Sequence, residues 1–363
     1  MKNPVLARRR RLFRALGGIF ISLALFLTGT SLYQAVASQQ ELQAFPAPGK
    51  RVDVGGYNLH INCTGNGSPT VVFEGGLGSA SLMWSLVQPA IALHTRACSY
   101  DRAGYGWSDA ATQPRTGVQI ALELHTLLER AGEPAPYVLV GHSFGGIVIR
   151  LYASRYPAEV AGLVFVDARH EDFFKRLPPT FLQVDETNQR NAKILQILTP
   201  LGLTRLAGNI GWLAGYQRYL VPLPESQIAA ARARMFYNSQ HWQTSVAERE
   251  LIEGSFDAVR KTRLSLDLPI IVLTARNGVE AWRTSDTPID KPTREIWMSM
   301  QQDLAALTGR SQWIIVENSG HYIQLDRPDV LADTILRNFA THTWSWFIAE
   351  FWARRGSNSQ PCT

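Results

Sequence analysis

Ser143 is the residue in this sequence whose surroundings best suit nucleophilic chemistry. It lies in the segment LVGHSFGG, residues 139–146, directly after an apolar run. Gly141 and Gly145 lack a Cβ, so they permit a sharp turn between a strand and a helix that would present the serine hydroxyl at the edge of a sheet. A helix starting there would also point backbone N–H groups at developing negative charge. The alternative, an ordinary serine in a glycine-rich loop, stays open on this motif alone.

A serine hydroxyl is a weak nucleophile at neutral pH and needs a neighbouring base, so the eight histidines must be ranked. His321 follows the last predicted strand in the segment SGH, which places it at the same edge of the sheet as Ser143. His142 adjoins the serine, but the turn should direct its side chain elsewhere, so we expect a packed structural histidine. His170, just after another predicted strand, is the rival. We predict His321 as the base.

Short apolar segments alternate with helical patterns through most of the chain. SPTVVFEGG, YVLVGHS and VAGLVFVDA predict buried strands, and TGVQIALELHTLLERAG has the apolar spacing of a helix that ends at a glycine. This alternation indicates a mostly parallel sheet covered by helices on both faces. Between residues 173 and 264 a long helical, aromatic-bearing segment replaces the alternation. We interpret residues 173–264 as a helical cap over the carboxyl edge of the sheet.

The net charge of +6 belongs to the first residues and not to the body of the chain. Six basic residues precede the first acid, Glu41, and account for all of it: Lys2, Arg8, Arg9, Arg10, Arg11 and Arg14. A neutral body argues against nucleic acid as a partner. Residues 15–40 carry no charge and are long enough to span a membrane as a helix. The positive-inside rule then predicts that the chain beyond Ser38 is exported.

The N-terminal segment, residues 1–40, has two predicted fates. The tripeptide AVA at 35–37 resembles a signal-peptidase site, and cleavage after Ala37 would release a secreted protein. The apolar stretch is longer than the usual core of a signal peptide, which favours a membrane anchor with the catalytic part on the outer side. The sequence leaves both fates open.

Four motifs occur in the order, and at the junctions of strands and helices, that the α/β-hydrolase fold family shows. They are FEGGLGS at 73–79, SYDRAGYGWSD at 99–109, GHSFGG at 141–146 and SGH at 319–321. The sequence therefore resembles that family from about Val52 to Ala340. The resemblance implies a fold of the α/β class: a mostly parallel eight-stranded sheet flanked by helices, with the cap inserted after strand 6. The predicted hydrolase core is residues 50–172 and 265–341, followed by an aromatic C-terminal extension at 342–363.

The resemblance also implies an oxyanion hole made of two backbone N–H groups, those of Phe144 and Leu77. Phe144 follows the nucleophile, and Leu77 lies in the glycine-rich loop after the third strand. Gly75 stands where the family usually has a histidine. For this reason Gly76 is the alternative to Leu77 if the register is shifted by one residue.

The acid that orients the histidine is the least determined member of the predicted triad. In many members of the family it follows the seventh strand, but here Asn277 or Gly278 stands where an aspartate is expected. Asp167 follows the sixth strand, where some members carry the acid, and gives the chain order Ser143, Asp167, His321. We predict Asp167 as the acid, with the capping of a turn as its alternative role. The other candidates are Glu280, Asp286 and Glu171.

The chain has three cysteines, Cys63, Cys98 and Cys362, and their spacing fits no zinc pattern. The family's usual sheet order places strand 2 beside strand 4. The resemblance therefore implies that Cys63 and Cys98 are neighbours that form a disulfide in an oxidising compartment. Asp101, Arg102 and Gly104 are interpreted as structural residues that fix a tight turn beneath the site.

The predicted function is that of a serine hydrolase, most simply a carboxylesterase that cleaves small to medium apolar esters through an acyl-serine intermediate. No cofactor and no metal are expected. Serine at the turn argues against a dehalogenase or an epoxide hydrolase, because the resemblance implies that those enzymes carry an aspartate at this position. Lipase, peptidase and carbon–carbon bond hydrolase activities stay open, as does a catalytically silent ligand-binding or receptor protein on the same fold. Residues 342–363 are expected either to pack on the core or to lie in a membrane interface.

Overall fold

The computed structural model describes residues 4–213, 217–265, 267–277 and 291–339. Within them, eight strands form one sheet in the order β1-β2-β4-β3-β5-β6-β7-β8. The strands are β1 (Lys50–Asp53), β2 (Asn58–Thr64), β3 (Thr70–Glu74), β4 (Ala97–Tyr100), β5 (Tyr137–His142), β6 (Val160–Val166), β7 (Ile270–Ala275) and β8 (Ser311–Val316). Strand β2 is antiparallel to both of its neighbours, and all other neighbouring pairs are parallel. The predicted α/β fold with a mostly parallel eight-stranded sheet is confirmed.

Helices cover both faces of this sheet. In chain order they are α1 (Pro4–Ala44), α2 (Gln88–Ala92), α3 (Gly117–Ala131), α4 (Gly145–Arg155), α5 (Phe173–Arg176), α6 (Pro179–Leu198), α7 (Leu203–Asn209), α8 (Glu225–Ala231), α9 (Ser239–Glu250), α10 (Ile252–Arg260), α11 (Lys291–Ala305), α12 (Ile323–Asp326) and α13 (Pro328–Phe339). Side chains of α3, α4, α10 and α11 pack on one face, and those of α2 and α13 pack on the other. Each face therefore has its own hydrophobic core.

The central strands β5 and β6 are buried at every residue. Their sequences, YVLVGH and VAGLVFV, are apolar almost throughout, as expected for parallel strands covered on both faces. Because the carboxyl ends of parallel strands meet at the same edge, the turns that follow β3, β5, β6 and β8 lie together. Those four turns carry the residues that the sequence singled out: Leu77, Ser143, Asp167 and His321.

The described residues between β6 and β7 form helices α5 to α10, a short 3₁₀ turn, Arg218–Leu220, and a π-helical turn, Arg232–Phe236. Helices α6 and α9 pack on each other, whereas α10 packs on α3 and α4 in the core of the sheet. A third hydrophobic cluster joins residues 195–237 of the cap to the segment Ser81–Trp84. Leu195, Leu220 and Met235 are among its buried members. The cap is thus held to the carboxyl edge by its own apolar core.

Cys63 and Cys98 are directly opposite each other in the pairing of β2 with β4. They form a disulfide, with their Cα atoms 4.0 Å apart, as the resemblance implied. The sheet order brings the two cysteines together, although 35 positions separate them in sequence. Cys362 lies outside the described residues, as does the predicted C-terminal extension, 342–363.

Helix α1 is 41 residues long. Its segment Arg11–Ala44 is long and apolar enough to cross a membrane, with a mean hydropathy of 1.8 over an 18-residue window of which only 6% is buried. Length and composition agree with the predicted apolar N-terminal helix, and they fit an anchor and a signal peptide equally well.

Candidate active site

Ser143 occupies the turn between β5 and α4 in a backbone conformation that few non-glycine residues adopt. Its φ is +52°, in the left-handed region, where a side chain crowds its own backbone. A Cβ placed on Gly141 would lie 2.7 Å from the carbonyl carbon of Gly145, so the turn closes only if residue 141 is glycine. The Ser143 N–H donates to the carbonyl oxygen of Val166 (3.2 Å), which ties this turn to the end of β6.

Asp167 and His321 form a buried pair at the same edge of the sheet. His321 Nδ1 donates to Asp167 Oδ2 across 2.7 Å, and both side chains are almost fully buried. The other carboxylate oxygen, Oδ1, accepts hydrogen bonds from the Trp297 indole N–H (3.1 Å) and from the Ala275 backbone N–H (3.2 Å). Three donors from different elements therefore hold the carboxylate in one orientation. The structure brings together the predicted base and the predicted acid.

Asp167 also has a positive φ, +43°. A non-glycine residue in this region is uncommon, and such conformations persist where surrounding contacts hold them. Here the Asp167 N–H donates to the carbonyl oxygen of Leu273 (2.8 Å), and three hydrogen-bond donors hold the carboxylate. Trp297, on α11, was not singled out from the sequence, because nothing near it in the chain indicates that it reaches the end of β6.

His142 supports the loop that carries His321. Its Nε2–H donates to the His321 carbonyl oxygen across 2.9 Å, and the two rings are 4.6 Å apart. Burial and the neighbouring His321 imidazole hold the pKa of His142 well below its usual range, so this ring is neutral at physiological pH. These contacts agree with the expectation of a packed histidine next to the serine.

The rival base and the rival acid contact each other and their own flanking residues. His170 Nδ1 accepts a hydrogen bond from the Asp172 N–H (3.0 Å), and its Nε2 lies 3.5 Å from a Glu171 oxygen. Burial lowers the pKa of His170. Glu171 in turn is paired with Arg150. The other two candidate acids, Glu280 and Asp286, lie outside the described residues.

The loop after β3 lies against the serine. A Cβ placed on Gly76 would lie 2.9 Å from His142 Nδ1 and 3.2 Å from the Cβ of Ser143, so a side chain at position 76 would push these neighbours apart. Arg102 donates to the carbonyl oxygens of Gly75 and Gly76, both at 2.7 Å. In a trans peptide the C=O of one residue and the N–H of the next point in opposite directions. With the Gly76 carbonyl turned to Arg102, the Leu77 N–H points away from that guanidinium.

Arg102 is the centre of a buried charge network that sequence reasoning did not connect to the site. Its guanidinium pairs with Glu74 at the end of β3 (2.6 Å) and with Glu248 on cap helix α9 (2.9 Å). Burial raises the pKa of the Glu74 carboxyl, and Arg102 opposes that effect. An acid inside the apolar run VVFEGG was the one local signal that this strand end needs a buried cation.

Asp101 organises the turn in which Arg102 lies, as the sequence interpretation expected. Its carboxylate accepts hydrogen bonds from the Ser81 N–H (2.6 Å), His60 Nδ1 (2.7 Å) and the Trp107 N–H (3.1 Å). Burial alone would raise the pKa of this carboxyl, but the hydrogen bonds from His60 and the two backbone N–H groups lower it. The ionised carboxylate is therefore the form that the turn is built around.

A pocket lies between this edge of the sheet and the cap. Leu77, from the loop after β3, and Tyr322, next to His321, form its wall on the sheet side. Leu195, Phe236 and Trp242 contribute to its wall on the cap side. The lining also includes polar residues, among them Asn188, His241 and Arg249, so the pocket offers both apolar surface and hydrogen-bonding groups.

Comparisons with known proteins agree with this architecture. A family model described as the alpha/beta hydrolase family matches residues 71–334. An AB hydrolase superfamily protein of Gibberella zeae is 34% identical over 288 residues, which cover 74% of this chain and 85% of that protein. An uncharacterized protein of Schizosaccharomyces pombe is 28% identical over 321 residues, which cover 78% of this chain and 54% of that protein. The chain thus spans about half the length of the fission yeast relative.

Solved structures share the fold at low sequence identity. A thermophilic esterase from Thermogutta terrifontis aligns with a TM-score of 0.55 and 20% identity, covering 80% of this chain and 99% of the esterase. At this level of identity the likeness extends to the fold alone.

Proposed function

Because this chain belongs to the alpha/beta hydrolase family, we propose that it is a serine hydrolase, most simply a carboxylesterase that acts on small to medium apolar esters. The observation that carries the proposal is the buried hydrogen bond from His321 Nδ1 to Asp167, 2.7 Å long, at the edge of the sheet where Ser143 lies. A carboxylate at Nδ1 keeps the proton on that nitrogen, so Nε2 carries the lone pair that can take a proton.

In the proposed reaction, Ser143 Oγ attacks the carbonyl carbon of the ester while His321 Nε2 takes the hydroxyl proton. The N–H groups of Leu77 and Phe144 stabilise the negative charge on the carbonyl oxygen. The tetrahedral intermediate then expels the alcohol, which receives the proton from His321, and an acyl-serine remains. Water attacks the acyl group by the same route, releases the acid and restores the serine.

The arrangement around the turn supports this use of the backbone. Phe144 is the N-cap of α4, so its N–H is at the positive end of the helix dipole, where anionic oxygen is stabilised. The contact of Gly76 with Ser143 places the second loop beside the nucleophile. Arg102 orients the carbonyls of both Gly75 and Gly76, so the N–H groups of Gly76 and Leu77 both point away from the guanidinium. We propose the Leu77 N–H as the second donor, with the Gly76 N–H as the alternative.

A lipase that prefers long acyl chains is the second candidate. The observation in its favour is a group of exposed apolar side chains on the cap: Ile194, Ile197, Ile210, Trp212 and Val221. Exposed apolar side chains suit contact with a lipid substrate, and Ile194 and Ile197 lie on α6, the helix that contributes Leu195 to the pocket wall. Rates on p-nitrophenyl butyrate and p-nitrophenyl palmitate separate the two activities, since a carboxylesterase prefers the shorter ester and a lipase the longer one.

The location that we assign is the outer side of a membrane, with the protein either anchored by α1 or released by cleavage after Ala37. The arginine cluster before the apolar helix supports this orientation through the positive-inside rule. The disulfide between Cys63 and Cys98 also suits an oxidising compartment.

Labelling with a fluorophosphonate probe tests the proposed chemistry. The full-length protein in detergent should form a covalent adduct on Ser143, and Ser143→Ala and His321→Ala should form none. Ser79→Ala is the matched control, because Ser79 is a buried serine of the neighbouring loop and should leave labelling intact. A folded wild-type protein without an adduct on Ser143 would favour the catalytically silent ligand-binding protein instead.

A further inference from the structure

The C-terminal part of α1 is built into the cap. The Gln34 side chain is buried, with its Nε2 donating to the Tyr237 carbonyl oxygen (2.7 Å) and its Oε1 accepting from Arg205 Nε (3.0 Å). Arg205 Nη2 also donates to Glu41, about two helical turns further along α1, across 2.8 Å. Both polar atoms of the Gln34 side chain are thus hydrogen-bonded to residues more than 160 positions away in the sequence.

Three further contacts extend this junction to both sides of Gln34. On the N-terminal side of Gln34, Gly202 packs so closely on Thr30 that a Cβ at position 202 would collide with the Thr30 carbonyl oxygen. On the C-terminal side, the carbonyl oxygen of Phe45, the residue that follows α1, accepts hydrogen bonds from Arg234 Nη2 (2.8 Å) and Trp107 Nε1 (2.9 Å). The docked segment therefore runs from Thr30 to Phe45.

Cleavage after Ala37 would divide this docked segment. Ala37 lies inside the uninterrupted helix Pro4–Ala44, and the peptide removed would include Thr30 and Gln34. Arg205 Nε and the Tyr237 carbonyl oxygen would then lose the glutamine to which each of them is hydrogen-bonded. The C-terminal part of α1 thus supplies contacts that the cap would lack after cleavage.

The length of the helix determines where the cap sits. A membrane-spanning helix needs about 20 apolar residues at 1.5 Å per residue. Counted from Ala15, just after the last basic residue of the N-terminal cluster, that length ends close to Gln34. Docking begins earlier, at Thr30. The cap surface beside Thr30 and Tyr33 must then lie at the level where the helix leaves the hydrocarbon core.

Two exposed apolar side chains occupy this level. Asn209, the last residue of α7, contacts the Tyr33 hydroxyl (3.4 Å), and Ile210 and Trp212 follow it directly. Ile210 is 83% exposed and Trp212 is 75% exposed. Burial in acyl chains would remove this apolar area from water, and tryptophan is enriched at membrane interfaces.

We propose that α1 is retained as a membrane anchor and that the cap rests on the bilayer with Ile210 and Trp212 inserted in its interface. The inference concerns the placement of the cap and does not depend on the serine chemistry. Fluorophosphonate labelling of the same samples reports on the proposed function separately.

A site-specific fluorophore tests the insertion. The full chain with Cys362→Ser and Ile210→Cys is labelled with an NBD dye and reconstituted in phosphatidylcholine and phosphatidylglycerol vesicles. We expect blue-shifted emission at position 210 that is quenched by lipids carrying a spin label on the acyl chain. Leu93→Cys in the same background is the matched control, because Leu93 is equally exposed, at 82%, but precedes β4 at the opposite edge of the sheet. Equal emission and equal quenching at the two positions would overturn the insertion.

The mass of the protein recovered from membranes of the producing cell tests retention. A chain that still contains residues 1–37 supports the anchor, and a chain that begins at Ser38 overturns it. Gly202→Val adds a readout that depends on docking, because its side chain would displace Thr30. We expect this variant to become sensitive to protease within residues 30–45, whereas Gly211→Val, at a glycine with open space around it, should stay resistant.

Discussion

Arg102 Nη2 donates a hydrogen bond to the carbonyl oxygen of Gly76 across 2.7 Å, in the interior of the protein. The two residues belong to different loops at the carboxyl edge of the sheet, and Gly76 lies against Ser143. Because a trans peptide points the Gly76 carbonyl and the Leu77 N–H in opposite directions, Arg102 determines the direction of that N–H. We therefore expect Arg102 to position the proposed oxyanion hole without touching the substrate.

Replacing Arg102 by lysine keeps a positive charge between Glu74 and Glu248 but removes the planar fork that reaches the loop carbonyls. We expect kcat for a p-nitrophenyl ester to fall by about 10² to 10³, as when one oxyanion donor is lost, with KM little changed. Glu248→Gln is the control, since it leaves a neutral Arg102–Glu74 pair and the bonds to the loop. A folded Arg102→Lys enzyme with normal kcat would contradict the positioning role.

Asp167→Asn should lower turnover by about 10⁴, because the amide favours the wrong tautomer of His321. Trp297→Phe should lower it less, since it removes one donor to Oδ1 and leaves the bond between Oδ2 and His321. Steady-state kinetics on a soluble ester, with circular dichroism to check folding, measure both effects. Near-normal turnover in Asp167→Asn would move the acid to the loop after β7.

The disulfide between Cys63 and Cys98 should contribute about 3 to 4 kcal/mol to the free energy of unfolding, since it closes a loop of 35 positions in the unfolded chain. The double variant Cys63→Ala/Cys98→Ala should unfold at a correspondingly lower urea concentration. A reducing agent should weaken the wild-type protein in the same way and leave the variant unchanged. Identical urea midpoints for the two proteins would show that the crosslink adds no stability.

Acid should destabilise the fold through His241. Burial, with Arg102 nearby, lowers the pKa of His241 to about 3, against an ordinary value of 6.5. Between these values the unfolded chain binds a proton that the folded protein does not, so stability is lost as the pH falls below 6.5. At pH 5 the loss is about 2 kcal/mol from this residue. His142, whose pKa is also lowered, acts in the same direction.

Urea unfolding at pH 7.5 and at pH 5 measures this loss. His241→Phe removes the titrating group and keeps an aromatic ring between Tyr105 and Trp242. We expect the difference in unfolding free energy between the two pH values to shrink in the variant by about 2 kcal/mol. An unchanged difference would mean that His241 titrates normally in the folded protein.

Most of the fold followed from local patterns. The apolar runs of β5 and β6 predicted buried parallel strands, and the glycines around Ser143 predicted the turn. These features depend on residues close together in the chain, where side-chain size and periodicity restrict the backbone directly. Contacts between residues far apart in the chain leave no comparable pattern in the sequence. The sequence assigned Arg102 to a turn, and only the packed structure shows it reaching the loop after β3.

The sequence by itself determined that Ser143, Asp167 and His321 follow strands in this order, and therefore that their turns lie at the carboxyl edge of the sheet. It left open whether Asp167 or a later acid would meet His321, and whether the helix before Ala37 was part of the folded protein. The tertiary structure placed Asp167 beside His321 across 154 positions and Gln34 beside Tyr237 across 203. Such pairings depend on which strands and helices become neighbours, and that is set by the packing of the whole chain.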